Sequence, residues 1–248
     1  KDSQIKKKTG EVLASEKKKK KEMEIKAIKA GWAEQDVEVW WNNLKEATKS
    51  VLATAKIDPK EIDAIGISYQ MHGLVLVDDN LQAIRRSIIW CDSRAVPYGE
   101  KALNQLGNEK CLTHLLNSPG NFTLSKLAWV KENEPENYSR IKYYMLPGDY
   151  MALRMTGVPF TTASGLSEGI SWDFIHNRPA DFLYEYFGFS TEFIPPVVPT
   201  FGHQGRILAE IAAELGLTEG IPVTYRAGDR PNNALSLSVL NAGEVAAT

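Results

Sequence analysis

The sequence predicts an α/β fold that carries its ligand groups at the carboxyl ends of strands. Three observations support that reading. Residues Ile62 to Ser68 form an apolar, β-branched run read as a buried strand, and it leads into the polar, glycine-closed segment Tyr69-Gln70-Met71-His72-Gly73. Ser87 to Trp90 form a second apolar run, ended by Cys91-Asp92-Ser93-Arg94. Pro222 to Tyr225 form a third, which opens into Ala227-Gly228-Asp229-Arg230-Pro231-Asn232. Open α/β sheets present ligands to the carboxyl ends of their strands, so these ends together predict a site the size of a sugar.

The elements follow in order. Lys6 to Glu11, followed by Val12 to Ser15, predict a β-hairpin turning at Thr9-Gly10. The lysines Lys17 to Lys21 come next and read as a solvated edge, because lysine blunts sheet edges. Val37 to Lys56 predict a helix with Val37, Trp40, Trp41, Leu44, Ala47, Val51 and Leu52 on one apolar stripe. Trp40 and Trp41 belong to its core face. Leu74 to Ile89 predict a hairpin turning at Asp79-Asn80, and helices are predicted over Tyr98 to Leu106 and Leu124 to Glu132. Tyr143 to Leu146 read as a strand, and Pro147 through Met155 as a helix stopped at Gly157. Thr161 to Asp173, rich in Ser, Thr and Gly, reads as a surface hairpin or loop. Ile207 to Leu215 predict a helix closed by Gly216, with a domain boundary falling between Leu217 and Ile221.

Composition narrows the function classes. The chain has 248 residues, 43% hydrophobic and 24% charged, enough for a sizeable core. A formal net charge of -2 gives no general attraction to nucleic acid or anionic lipid. Two cysteines, Cys91 and Cys111, are too few for a disulfide framework and point to a reducing compartment. With no apolar run long enough to span a bilayer and no secretory signal read at the start, the expected location is cytoplasmic.

The chemistry concentrates at a few side chains. Asp229 sits in a glycine turn that opens a helix, where free backbone N–H groups and the dipole favour an anion. It reads either as a helix N-cap, with Pro231 harmless in the first turn, or as a base facing a ligand. His72 can serve a sugar hydroxyl or be a satisfied structural histidine. Met71 can be packing or an apolar wall against sugar carbons. Asp92 and Arg94 read as an ion pair tying a strand end to a neighbouring loop, and Asp149 as a structural residue at a helix terminus. His114, His176 and His203 show no metal-site spacing.

Five runs occur together in order: Ile65-Gly66-Ile67-Ser68-Tyr69-Gln70-Met71-His72-Gly73, Ile88-Ile89-Trp90-Cys91-Asp92-Ser93-Arg94, Asn121-Phe122-Thr123-Leu124-Ser125-Lys126, Leu146-Pro147-Gly148-Asp149-Tyr150 and Ala227-Gly228-Asp229. From about Gly31 to Thr248 the chain resembles the FGGY carbohydrate kinases, and its Gln-Met-His-Gly version is most similar to the xylulokinase branch. The resemblance implies a ribonuclease H-like (actin-like ATPase) fold. It implies an N-terminal sugar-binding domain over 1–219, lacking its first strand, and the beginning of a C-terminal ATP-binding domain over 220–248. It further implies ATP-dependent phosphorylation of a ketopentose, D-xylulose before ribulose or gluconate, with ATP and Mg²⁺ as cofactors and a possible homodimer. Asp229 is then the general base, and Met71, His72, Arg230 and Asn232 line the substrate. A non-catalytic, sugar-binding fragment is the alternative.

Three departures accompany the resemblance. The family places Gln or Asn directly after the catalytic Asp, whereas this chain has Arg230, a permanently charged, donor-only group able to pair with Asp229 or reach a phosphate. The family's opening Asp-x-Gly-Thr loop has no counterpart, and the sequence ends at Thr248, where its Gly-Thr-Ser-Gly type loop is expected. Both loops hold phosphate through backbone N–H groups, so most of the ATP site is expected to lie outside these residues.

Overall fold

The structure is a computed structural model that describes residues 2–9, 11–17, 23–239, 241 and 243–245. The elements in chain order are β1 (Asp2–Lys6), β2 (Val12–Lys17), β3 (Glu34–Gln35), α1 (Val37–Ala55), β4 (Ile65–Tyr69), β5 (Val75–Val77), β6 (Ser87–Ile88), α2 (Val96–Leu106), α3 (Asn108–Leu115), α4 (Thr123–Asn133) and α5 (Pro135–Tyr138). They continue with β7 (Tyr143–Met145), α6 (Pro147–Thr156), β8 (Thr161–Thr162), α7 (Ala163–Glu168), β9 (Trp172–Asp173), β10 (Arg178–Pro179), α8 (Asp181–Phe187), β11 (Val197–Val198), α9 (Ala209–Leu215), β12 (Val223–Gly228) and α10 (Asp229–Ser236).

The N-terminal hairpin forms as expected, β1 antiparallel to β2, although Gly10 of its turn and Lys18 to Lys21 lie outside the described residues. Helix α1 is capped by Asp36, whose carboxylate accepts the N–H of Glu38 at 2.9 Å. It ends at Lys56 in the left-handed conformation. Trp40 and Trp41 are core residues. Trp41 donates its indole N–H to Glu214 of α9 at 3.2 Å, which docks α9 on α1.

Strand β5 pairs antiparallel with β7, and alternation along the two strands divides the core. Leu74, Leu76, Ile88 and Tyr144 face one buried cluster with Leu127, Val130 and Leu183. Val75, Val77, Ile89 and Met145 face a second with Trp40, Trp41 and Leu215. Both faces are buried, so the strands read as continuous apolar runs.

Strand β4 differs from its expectation. It starts at Ile65, after a short helical turn over Pro59–Glu61 capped by Asp58, and its residues alternate between partly buried and exposed up to buried Tyr69. It pairs in parallel with β12, from Val223 opposite Ile65 to Gly228 opposite Tyr69. Thr161 to Asp173 also departs from expectation. It is a mostly buried strand–helix–strand, not a surface loop. Its polar side chains bond inward: Thr161 Oγ1 donates to Asp149 Oδ2 at 2.8 Å, and Ser171 Oγ to the carbonyl of Leu166 at 2.8 Å. Hydroxyls satisfied in this way can be buried without penalty.

Candidate active site at the ends of two paired strands

The β4–β12 ladder brings two distant segments together. Because Gly228 pairs with Tyr69, the residues leaving β4 (Gln70, Met71, His72) and those leaving β12 (Asp229, Arg230) emerge side by side. Gly228 leaves no room for a side chain, since a Cβ there would run into Glu168 Oε2 and Met71 Cγ. Glycine is therefore required for the two turns to close on each other.

His72 lies in the left-handed region, at φ 60°, an uncommon conformation for a non-glycine residue. Its Nδ1 lies 3.0 Å from the carbonyl oxygen of Glu168 and must donate to it, so in the neutral ring Nε2 is an acceptor. Burial pushes the imidazole pKa down. The Glu168 bond raises it, and the charges of Lys126 and Arg230 lower it further. The ring packs edge-on to Phe122 at 4.5 Å, and buried Lys126 donates to the His72 carbonyl at 2.8 Å. Burial brings the Lys126 amine down to about 8, with Asp92 and Cys91 opposing the shift.

Asp229 is the first residue of α10 and is exposed. The N-cap is Gly228, not Asp229, so the capping alternative moves by one residue. Asp229 Oδ1 accepts the backbone N–H of Arg230 at 3.1 Å, and among the described residues no ion pair joins it to the Arg230 guanidinium. Asn232 uses its amide within the turn. Its Nδ2 donates to the carbonyls of Ala227 at 3.0 Å and Gly228 at 2.7 Å, and its Oδ1 accepts from Tyr225 Oη at 3.1 Å.

A buried ion pair sets β12 beneath this site. Arg226 Nε donates to Asp149 Oδ1 at 2.7 Å, and Nη2 to the carbonyl of Phe160 at 2.7 Å. Asp149 occupies the first turn of α6 and has the structural place expected of it. Burial pushes its pKa up, against the lowering pull of Arg226. Asp92 and Arg94 form their expected pair, with Nη2 at 2.7 Å from Oδ2, and Arg94 also reaches Glu34 at 2.8 Å. The Arg94 guanidinium lies 3.9 Å from the Trp32 ring and 4.7 Å from that of Trp129.

Glu168 is the residue that sequence reasoning missed. Both carboxyl oxygens are buried beside Met71 and Gly228, with the buried Tyr69 hydroxyl as their polar neighbour. Burial pushes the Glu168 pKa well above 4.5; Tyr69 opposes that shift, and the negative charges of Asp149 and Asp229 add to it. A carboxyl whose pKa is pushed up beside an exposed carboxylate is a recurring feature of acid–base sites. Its only sequence signal is an acidic residue inside an otherwise uncharged Ser/Gly stretch between Leu166 and Ile170.

His114 and His176 do converge, on Asp173, although His203 does not join them. The contact joins α3 to the β9–β10 turn across 59 residues, beyond the reach of local spacing rules.

Residues 4–236 match the FGGY family of carbohydrate kinases, N-terminal domain. The chain belongs to this family. It is 33% identical over 221 residues to a xylulose kinase of Bacillus subtilis (strain 168), covering 87% of the chain and 43% of that relative. Among solved structures, a xyloylose kinase from Brucella ovis superposes with a TM-score of 0.85 at 27% identity, over 98% of the chain and 49% of that protein. A gluconate kinase from Lactobacillus acidophilus superposes at 0.82 with 22% identity, over 92% of the chain and 45% of that protein, a likeness of fold. The fold is thus the ribonuclease H-like, actin-like one of the FGGY kinases, and the chain spans about half the length of the curated relatives it matches.

Proposed function

We propose that this chain forms the sugar-binding half of an ATP-dependent ketopentose kinase whose substrate is D-xylulose. The reading is supported chiefly by the paired ends of β4 and β12, which set the His72 turn beside the Asp229 carboxylate. Asp229 takes the proton of the sugar hydroxyl as its oxygen attacks phosphorus. Neutral His72 accepts from a second hydroxyl through Nε2 while Glu168 fixes its Nδ1. Met71 lies against the sugar carbons, and Asn232 holds the turn that aims the base. Arg230, near His72, offers a cation to a phosphate.

ATP with Mg²⁺ supplies the phosphoryl group when bound. Asp229 stands in no group of three metal-ligating side chains among the described residues. On this reading residues 1–219 are the sugar-binding domain and residues 220–248 begin the ATP-binding one, in a protein that works in the cytoplasm and pairs as a homodimer. No described helix is long and apolar enough to cross a membrane.

The test is coupled ADP release with D-xylulose, D-ribulose and gluconate, on this chain and on a form extended to the length of its relatives. Turnover led by D-xylulose is expected in the extended form. A lead for gluconate would reassign the substrate. Silence from both forms, with sugar binding retained, would leave a non-catalytic sugar-binding module. In the extended form Asp229→Asn should lower kcat by about 10³-fold or more while sugar affinity stays within about twofold. An unchanged kcat would remove the base.

A further inference from the structure

We propose that His114, Asp173 and His176 form a binding site for a divalent transition metal, zinc in the first instance, that clamps the end of α3 to the β9–β10 turn. The three side chains come from separate places: the last turn of α3, the end of β9 and the turn that follows it. Asp173 Oδ2 lies 3.0 Å from His114 Nδ1 and 2.8 Å from His176 Nδ1, and one ligand atom from each residue falls within 4.8 Å of the others.

Backbone groups help to orient the carboxylate. Its Oδ1 accepts the backbone N–H groups of Ile175 at 2.9 Å and His176 at 3.1 Å, the outer-sphere support typical of a metal-binding carboxylate. Oδ2 faces both imidazoles, and His114 Nδ1 is also 3.0 Å from Oδ1. The scaffold is fixed as well: the N–H of Phe174 donates to the carbonyl of His114 at 2.8 Å, tying β9 to α3. The His114 ring is held between the His176 ring, near-parallel at 5.5 Å, and the edge of Phe182 at 5.7 Å. Burial raises the Asp173 pKa, but hydrogen bonds from His176, His114 and Ile175 outweigh it and keep the carboxylate ionised. His176 is exposed and His114 partly so, which leaves a path from solvent.

Ligand chemistry selects the ion. Two nitrogens and one oxygen suit zinc and its transition-metal neighbours, and they disfavour Mg²⁺, which asks for an oxygen shell. Tetrahedral zinc with bonds of about 2.0–2.2 Å sets its ligand atoms about 3.3 Å apart. The two Asp173–imidazole distances therefore open by about 0.3 and 0.5 Å, the two rings adjust within their 4.8 Å limit, and the fourth position falls to water. Each neutral imidazole moves its proton from Nδ1 to Nε2 and gives the Nδ1 lone pair to the metal. A neutral ring releases no proton and a protonated one releases one.

The test titrates Zn²⁺ into the full chain against a chromophoric zinc chelator, with thermal unfolding as a second readout and no dependence on catalysis. One zinc per chain is expected, unaffected by millimolar Mg²⁺ and raising Tm. Affinity should fall at least tenfold in His114→Ala and in His176→Gln, the Tm rise should vanish in both, and His203→Ala should retain the site. If His114→Ala does not fold, His176→Gln on the exposed turn decides alone. Absence of stoichiometric zinc, or equal affinity in His176→Gln, would overturn the proposal and leave the cluster as a hydrogen-bonded tie.

Discussion

Glu168 makes stability depend on pH in a defined direction. Its folded pKa lies well above 4.5, so between the unfolded and folded values the unfolded chain has lost a proton that the folded chain keeps. The contribution of this group is complete below about pH 4.3 and declines as pH rises toward the folded pKa. Glu168→Gln, which is always neutral, should therefore raise Tm at pH 7–8, with the gain shrinking toward pH 4. Thermal unfolding across that range checks this, and a pH-independent gain would show that the carboxyl is not held neutral. The sign for His72 is opposite in effect. Its pKa is lowered by burial, so the ring stays neutral at pH 7 and Nε2 remains an acceptor. Sugar affinity should be flat above neutrality and weaken in acid, and His72→Phe should lower it about tenfold, the worth of one or two hydrogen bonds. Equilibrium binding of D-xylulose by the chain reads both.

Strand β12 depends on a charge pair that cannot be broken cheaply. Asp149 and Arg226 are both buried, and removing one partner leaves the other uncompensated. Asp149→Asn should lower stability by about 3–5 kcal/mol in urea unfolding. A loss under about 1 kcal/mol would mean that water replaces the bond. Elements with a clear pattern or cap were legible from the residues: α1, β5, α6, α9 and the turn into α10 lie close to where pattern and capping put them. Several short helices were not. Helices α3, α5 and α8 have four to eight residues, too few for an apolar stripe to rise above chance. Thr161 to Asp173 misled for a different reason: hydroxyls that look solvated in a sequence are satisfied by Asp149, Leu166 and Tyr144 in space. Within the candidate site, the placement of the Met71–His72 turn beside Asp229 was legible where a motif carried it. Glu168 and the His114–Asp173–His176 cluster were not, because their partners are distant in the chain.

The two cores share one partition. Leu76 and Tyr144 belong to one cluster and Val75 and Met145 to the other, so damage at either face is transmitted through β5 and β7. Leu76→Ala and Val75→Ala should each lower the midpoint of a single, coincident unfolding transition, the leucine change by about 2–5 kcal/mol. Separate transitions by tryptophan fluorescence and circular dichroism would show that the halves melt independently.

The Tyr69–Gly228 rung has a consequence for how this protein can change. The stretch from Gly73 to Pro222 lies between the two halves of the candidate centre, yet their spacing is set by the rung and not by the length of that stretch. Insertions or deletions at exposed bends within it can then alter what surrounds the opening, and so which compounds enter, while the reacting groups keep their mutual placement.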